Sequence, residues 1–520
     1  MIEAEWPDYQ VWLFRYAFLS SLDWTRQRKL SRKLSRPPLF TLLTPVYNIA
    51  PDYLYRCVES VLFQTYPHWQ LLLVDDASTR PETRQQLRSL ARLDDRIQVH
   101  TNQTNLGICA TTNRALSLAR GRFCAFLDHD DRIAANALFE AAQVVNCTPE
   151  ADIIYSDRDL ISVNGGRFMH LFKPDWAPET ILSSNYLCHL TIYRTSLLRK
   201  LQGLDQETEG SQDHDLILRA EETDPCVVHI PKILYHWRQH PESVALNPDS
   251  KQYAYDAATL SVQKALQRRG LRGTVEEIPG LWRGNYRVRF EHPATDAISL
   301  HRIDDFLRVQ WRPLFQQALV SSNRPYLVFL DARLNPENSR TIEELTSWFQ
   351  IDRVAMTTGL LIDSNGCIVH AGLLHDRKGA IQYIYQGKSV EETPGYMAWA
   401  ASAHNVSLVH PGCFAIRRRE LEASLKELKA AATYPLPLTL SLVLRSRQNR
   451  IVYTPFARFS TRNPADMGKI LDPAGHRDFY KHHQALLSQG DPYFSPNLTV
   501  RNNDISLNHD LPRFGLETNL

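Results

Sequence analysis

The stretch FLDHDD, residues 126–131, sets Asp128, Asp130 and Asp131 within four positions at the end of an apolar run. Carboxylates this close raise one another's pKa unless solvent or a cation screens them. A hard divalent ion is held by such oxygen donors; a solvated turn is the plainer alternative. Two other apolar runs end in polar groups, Tyr47 and Asn48 after LFTLLTPV and Asp75 with Asp76 after WQLLLV. In GSQDHDLILR, Asp213 opens a helical pattern, where the positive end of the helix favours a carboxylate, and Asp215 reads as its bystander. His236 in ILYHWRQHPES offers a neutral imidazole to a metal, and Gly107 in NLGIC lets backbone approach a ligand closely. Trp176 and Trp237 read as packing rather than as sugar platforms.

The elements that would carry these groups alternate. LFTLLTPVYN is a strand. YLYRCVESVLFQ follows with Leu54, Cys57, Val58, Val61 and Leu62 on one helical face. WQLLLVDDAS is a second strand, PETRQQLRSLARL a helix, RIQVHTN a strand, ATTNRALSLA a helix and GRFCAFLDHDD an acid-terminated strand. Continuous apolar strands alternating with helices predict a parallel sheet covered on both faces. Ligands of such sheets lie beyond the carboxyl ends of the strands, which is where all these polar groups fall. YAYDAATLSVQKALQRRG reads as a closing helix, so a first module ends near residue 280.

Length bounds the rest: 520 residues call for about two to four domains. A net charge of +2, from 59 basic and 57 acidic residues, gives no case for a nucleic-acid footprint. The eight cysteines are scattered without a C-x-x-C pair, which reads as buried thiols of a reducing, cytoplasmic compartment. VWLFRYAFLSSL contains Arg15 and is shorter than a bilayer crossing. With the basic RQRKLSRKLSR after it, residues 1–37 form either an interfacial helix at the inner face of a membrane or a packed amphipathic helix with a solvated linker.

TPVYN, VDDAS, FLDHDD, YSDRD, FKPDW, GSQDHDLILR and HIPKILYHWRQHPES stand in the order of a family 2 glycosyltransferase, and over residues 38 to 275 the chain resembles the bacterial branch associated with O-antigen and other surface polysaccharides. It departs from the family pattern at Arg158, which replaces a usual acid. The resemblance implies a GT-A fold, a Rossmann-like mixed α/β sheet with helices on both faces, in a catalytic domain over 38–280. It implies that Tyr47 and Asp76, with Asp75 beside it, hold the base of a nucleotide-diphosphate sugar, and that Asp128 contacts the ribose or the metal. Asp130 would bind a divalent ion, Mn²⁺ or Mg²⁺, with His236 assisting. Asp213 would be the general base of an inverting transfer to a hydroxyl of a glycan or polyprenyl-linked acceptor. A catalytically inactive scaffold or glycan-binding protein of the same fold is the alternative.

The second half repeats the pattern without its chemistry. RPYLVFLDARLNPEN parallels GRFCAFLDHDDRIAAN, and LTLSLVLRSRQNRIVYTPFARFSTRN parallels QDHDLILRAEETDPCVVHIPKILYHWRQH. The alignment sets Asp331 on Asp128 but Arg333 on Asp130, Thr439 on Asp213, Ser441 on Asp215 and Ser460 on His236. An arginine at a metal position repels the cation. Residues 285–325 are too short for two base-binding strands, so a degenerate, non-catalytic GT-A-like α/β domain is expected over 285–500, followed by a tail over 501–520.

Overall fold

The computed structural model describes residues 6–240, 252–428 and 434–511, which divide into two compact units. The first holds the described residues up to Trp176, Asn185–Ala265 and the end of the chain from Leu507; the second holds Ala177–Ser184 and Leu266–Ser506. Three sequence boundaries shift accordingly. Residues 6–37 are part of the first unit, 266–280 belong to the second, and a short segment near residue 180 is lent to the second unit. The expected tail lies outside the described residues from 512 on, as do 241–251, which include the end of the HPES motif.

In the first unit β1 (Phe40–Val46), β2 (Trp69–Asp75), β3 (Ile97–Thr101), β4 (Phe123–Phe126), β5 (Arg132–Ile133), β6 (Ile153–Ile161), β7 (Arg167–Leu171), β8 (Thr191–Arg194) and β9 (Val227–Arg238) make one sheet. Its order is β3-β2-β1-β4-β8-β6-β9-β5, with β7 beside β6. β1 to β4 pair in parallel, as the alternating pattern predicts. Beyond β4 the sheet is mixed: β8 runs antiparallel to both β4 and β6, while β9 is parallel to β6.

The strand interiors are apolar because both faces are covered. α3 (Pro51–Leu62) buries Leu54, Cys57, Val58 and Val61, the predicted stripe. These join Phe40, Leu42, Leu71 and Leu73 in one core with α4 (Pro81–Leu90) and α6 (Ala137–Cys147). α5 (Ile108–Leu118) packs on β1 and β2 but adds nothing to that core, which puts it on the opposite face of the sheet.

α1 (Trp6–Tyr16) lies against β7: Tyr9 donates to Asp159 at 2.6 Å and Trp12 meets Phe172 edge-on. α2 (Ser21–Ser31) starts at a capping box of Ser20 and Asp23 and rests on α6. Phe14, Phe18 and Leu22, around the elbow between these helices, remain 75%, 66% and 73% exposed. The remaining helices of this unit are α8 (Thr195–Lys200), α9 (Gln212–Glu221) and α10 (Gln252–Arg268), within which the unit ends; α7 (Pro178–Ser183) belongs to the second unit.

The second unit opens with a hairpin of β10 (Gly273–Glu277) and β11 (Tyr286–Phe290). Its main sheet contains β12 (Ile298–Ile303), β13 (Tyr326–Asp331), β14 (Leu334–Pro336), β15 (Val354–Asp363) and β16 (Ile368–His370). A hairpin of β17 (Leu373–His375) and β18 (Ile381–Tyr383) and a short β19 (His404–Asn405) precede β20 (Cys413–Arg417) and β21 (Arg450–Thr461). The sheet order is β12-β13-β20-β15-β21-β14, with β16 beside β15.

That is the order β1-β4-β8-β6-β9-β5 of the first unit, and every pair keeps its sense: parallel for β12·β13 and β15·β21, antiparallel for β13·β20, β15·β20, β14·β21 and β15·β16. β2 and β3 have no counterpart in this sheet. The register agrees with the sequence alignment, because Asn335 faces Ser460 as Arg132 faces His236.

Candidate functional site

The carboxyl ends of β1, β2 and β4 and the start of α9 open onto one cleft of the first unit, of ≈ 690 Å³. It is lined by Tyr47, Asp76, Gly107, Asp128, Asp130 and Asp213 among the expected residues, and by Asn185, Cys188, His189, Glu209 and His240 among those not expected. Asp75 and His236 are absent from its wall.

Tandem acids at a strand end project to opposite faces, so only one of Asp75 and Asp76 can face a ligand. Asp75 turns inward and accepts from the Ser78 amide at 3.0 Å, capping its own loop; this corrects its assignment to the base. Asp76 takes Asn102 Nδ2 and the Leu106 amide on Oδ1 and the Gly107 amide on Oδ2. Oδ2 therefore keeps a lone pair for an N–H from the cleft. Gly107 has φ +84°, and a Cβ there would strike the Glu209 carboxylate at 2.6 Å. The close approach is thus to the chain's own Glu209. Tyr47 stands half-exposed at the mouth, and Asn48 ties its loop to Thr79 and Arg80.

The three acids of FLDHDD divide by environment. Asp131 is buried and accepts from Tyr235 Oη and the Arg238 amide, each at 2.6 Å. Burial, then the charges of Asp130 and Asp128, push its carboxyl well up, and its role is to brace β9. Asp130 also suffers from burial, yet the hydrogen bond from His240 Nε2 at 2.9 Å and the nearby His129 hold its carboxyl below the ordinary range. Asp128 keeps 38% of its side chain exposed and lies 3.5 Å from His189 Nε2. Its carboxyl is raised, first by desolvation and further by Asp130 and Asp213.

His236 does not reach this group. Its Nδ1 sits 2.6 Å from Asp159 in a buried cluster with Arg167 and Tyr9, and Arg167 and burial depress its basicity. His240, four residues on, holds the position expected of it. The register of β9 on β6 shifts twice and then sets His236 opposite Asp159; His240 lies beyond the end of β9. Trp237 does line the cleft, with the Arg158 guanidinium 4.6 Å over its ring, whereas Trp176 does not.

Donors for a divalent cation stand here in the hard oxygens of Asp130 and Asp128 and in the His240 imidazole, which is 2.9 Å from Asp130, but the three do not close to within 4.8 Å of one another. The Asp128 carboxyl, raised first by burial and further by Asp130 and Asp213, is one whose charge a cation would favour.

Asp213 begins α9 and accepts from Asn185 Nδ2 at 3.0 Å. Asp215 is buried and ion-paired to Arg219 at 2.6 Å, as expected of a bystander. The loop below Asp213 is held by Lys173 of the FKPDW motif, whose buried ammonium donates to the carbonyls of Leu187, Cys188 and His189 at 3.1, 3.3 and 2.6 Å. Burial, then Arg158, lowers the Lys173 pKa to about 7. Of the cysteines, Cys57, Cys109, Cys124 and Cys413 are buried, Cys147 is exposed, and none is bonded to another among the described residues.

At the equivalent point of the second unit the acid is spent. Arg333 closes on the buried Asp331 with Nε to Oδ1 and Nη2 to Oδ2, both 2.8 Å. On α11 (Leu436–Ser446), the counterpart of α9, Thr439 lies 3.0 Å from His483 and Ser441 bonds back to the Pro437 carbonyl.

The first unit is thus a mixed α/β sheet with acids gathered beyond its strand ends. Residues 41–201 match the model of Glycosyl transferase family 2. The chain is 28% identical to the uncharacterized protein y4gI of Sinorhizobium fredii, over 95% of this chain and 61% of the relative. It is also 28% identical to the O-antigen biosynthesis protein RfbC of Myxococcus xanthus, over 96% and 43%. Chondroitin synthase of Escherichia coli is 27% identical over 42% of this chain and 31% of its own length. The chain thus spans 61% and 43% of the first two relatives. A crystal structure of S. aureus TarS 1–349 in complex with UDP-GlcNAc aligns with a TM-score of 0.37 at 22% identity, over 44% of this chain and 66% of that one.

Proposed function

We propose that this chain is an inverting, metal-dependent glycosyltransferase that moves a sugar from a nucleotide-diphosphate sugar to a hydroxyl of a surface-glycan, lipid-linked acceptor. The observation that carries the reading is the meeting of Asp76, Asp128, Asp130, His240 and Asp213 in one cleft. Tyr47 and the free lone pair of Asp76 receive the base, and Asp128 the ribose or the cation. Asp130 and His240, with Asp128, would hold Mn²⁺ or Mg²⁺, which when bound supplies charge neutralisation for a departing nucleoside diphosphate. Asp213, oriented by Asn185, takes the proton of the acceptor hydroxyl as that oxygen bonds to the anomeric carbon and the bond to the diphosphate breaks. The second unit is read as silent, since Arg333 fills the cation position and no acid stands at Thr439.

Acceptors on lipid suit the α1–α2 elbow. Phe14, Phe18 and Leu22 are exposed beside Arg15, Arg26, Arg28, Lys29, Arg32 and Lys33, the composition of a peripheral contact with an anionic membrane face. Among the described residues no helix is long and apolar enough to cross a membrane.

A thermal-shift screen of nucleotide sugars with and without Mn²⁺ tests the reading. Stabilisation by one donor only with the ion present is expected; no response to any donor would leave the inactive-scaffold alternative standing.

A further inference from the structure

Asp213 has a second neighbourhood besides Asn185. The Cys188 sulfur, a His189 ring nitrogen and an Asp213 carboxylate oxygen lie within 4.8 Å of one another, the one group of this kind among the described residues. We infer that Cys188, His189 and Asp213 form a site for a thiophilic divalent ion of the Zn²⁺ or Co²⁺ class, separate from the oxygen-rich position at Asp130. One thiolate, one imidazole and one carboxylate select such ions over Mg²⁺ or Mn²⁺. Around a tetrahedral ion with bonds of roughly 2.0–2.3 Å, ligand atoms stand about 3.5 Å apart, so side-chain rotation alone closes the set.

The site is held in advance. Lys173 clamps the Leu187, Cys188 and His189 carbonyls, which fixes two consecutive side chains in position. The His189 ring stacks on Tyr235, with centroids 4.9 Å apart and planes 21° apart. Its Nε2 is 3.5 Å from Asp128, a carboxylate partner of the kind that orients metal-bound imidazoles or completes the ligand set. All three ligands line the open cleft, so the ion has an entry path and a free position for water.

The consequence is an inhibitory ion. A cation bonded to Asp213 occupies the lone pairs that would receive the acceptor's proton, so thiophilic ions oppose the reaction that hard ions support. This consequence rests on the proposed function; the binding does not.

Co²⁺ titrated into the full-length chain reads the site optically, through the thiolate-to-cobalt charge-transfer band and the intensity of the d–d bands. A band that saturates at one equivalent, disappears in Cys188→Ser, weakens by roughly tenfold or more in affinity in His189→Asn and survives in Asp130→Asn is expected. A band absent from the wild type, or persisting in Cys188→Ser, overturns the site. A second measurement needs no variant: Zn²⁺ should protect the Cys188 peptide from alkylation, read by mass spectrometry, and unprotected Cys188 at saturating Zn²⁺ overturns it equally. In turnover assays at saturating Mn²⁺, Zn²⁺ should inhibit the wild type, and whatever activity Cys188→Ser retains should be insensitive. An intact cobalt band without Zn²⁺ inhibition would sink the inhibitory role and leave the site; failure of every donor to bind would sink the proposed function alone.

Discussion

His240 Nε2 stands 2.9 Å from Asp130 Oδ2, and this bond is a main reason that Asp130 remains ionised despite its burial. His240→Ala should therefore weaken Mn²⁺-dependent donor binding by roughly ten- to a hundredfold, and Asp130→Asn by at least as much, whereas His236→Ala should act on stability instead. Acid should act through the neighbour. Asp128 has a raised carboxyl and Asp130 a lowered one, so as pH falls Asp128 takes up its proton first and donor binding declines while Asp130 is still charged. Calorimetry of Mn²⁺ binding at several pH values, each in two buffers of different ionisation enthalpy, checks this: the number of protons released as the ion binds should grow as pH is lowered, and a number that does not change with pH would contradict it.

Asp213 and Asn185 act on the acceptor side of the cleft. Asp213→Asn should lower turnover by roughly a hundredfold to ten-thousandfold and leave the donor-dependent thermal shift intact. Asn185→Ala leaves the carboxylate present but unoriented, and a smaller loss in kcat with donor KM unchanged is expected. Near-normal turnover of Asp213→Asn would sink the assignment of the base.

Much of this was legible from local pattern. Unbroken apolar strands, the face of α3 and the polar residues after β1, β2 and β4 follow from periodicities of 2 and 3.6, which are properties of neighbours in sequence. The lack of β2 and β3 equivalents in the second sheet agrees with the shortness of residues 285–325 and the absence of a VDD motif there. What escaped depends on contacts between distant residues. The β6·β9 register, shifted twice, sets His236 opposite Asp159, while His240 reaches the cleft from beyond the end of β9, and no alternation count contains a bulge. Cys188 and His189 are set by Lys173, fifteen and sixteen residues away. Helix α7 joins the second unit through Glu179, which bonds Asn405 and Arg450, partners more than 220 residues later.

Lys173 gives the chain a pH signature. Its pKa is about 7 folded and about 10.4 unfolded, so between these values the unfolded chain holds one more proton. Stability then rises with pH across that window, by up to ~1.4 kcal/mol per unit from this group, and the full penalty is present below about pH 7. Urea unfolding at two pH values inside the window should show the wild type gaining on Lys173→Met. Equal pH slopes for the two proteins would contradict the lowered pKa of Lys173.

Arg333 carries a different expectation. Asp331 is buried, and besides Arg333 it accepts from the Phe306 amide at 3.1 Å. Arg333→Ala strips the carboxylate of its two charge-assisted bonds and should cost about 3 kcal/mol of stability. Donor binding in the first unit should not change, which a thermal melt and a donor titration on the same variant separate.

The α1–α2 elbow is tested by lipid. Phe14, Phe18 and Leu22 are mostly exposed in the fold, so replacing all three with Ser should change the melting temperature little. Co-sedimentation with vesicles rich in anionic lipid should fall severalfold for this variant, and wild-type binding should weaken as salt screens Arg15, Arg26, Arg28, Lys29, Arg32 and Lys33. The two effects have different origins, apolar insertion and surface charge, so neutral vesicles should bind the wild type poorly even at low salt. Equal sedimentation of wild type and triple variant with anionic vesicles would remove the elbow as a membrane contact.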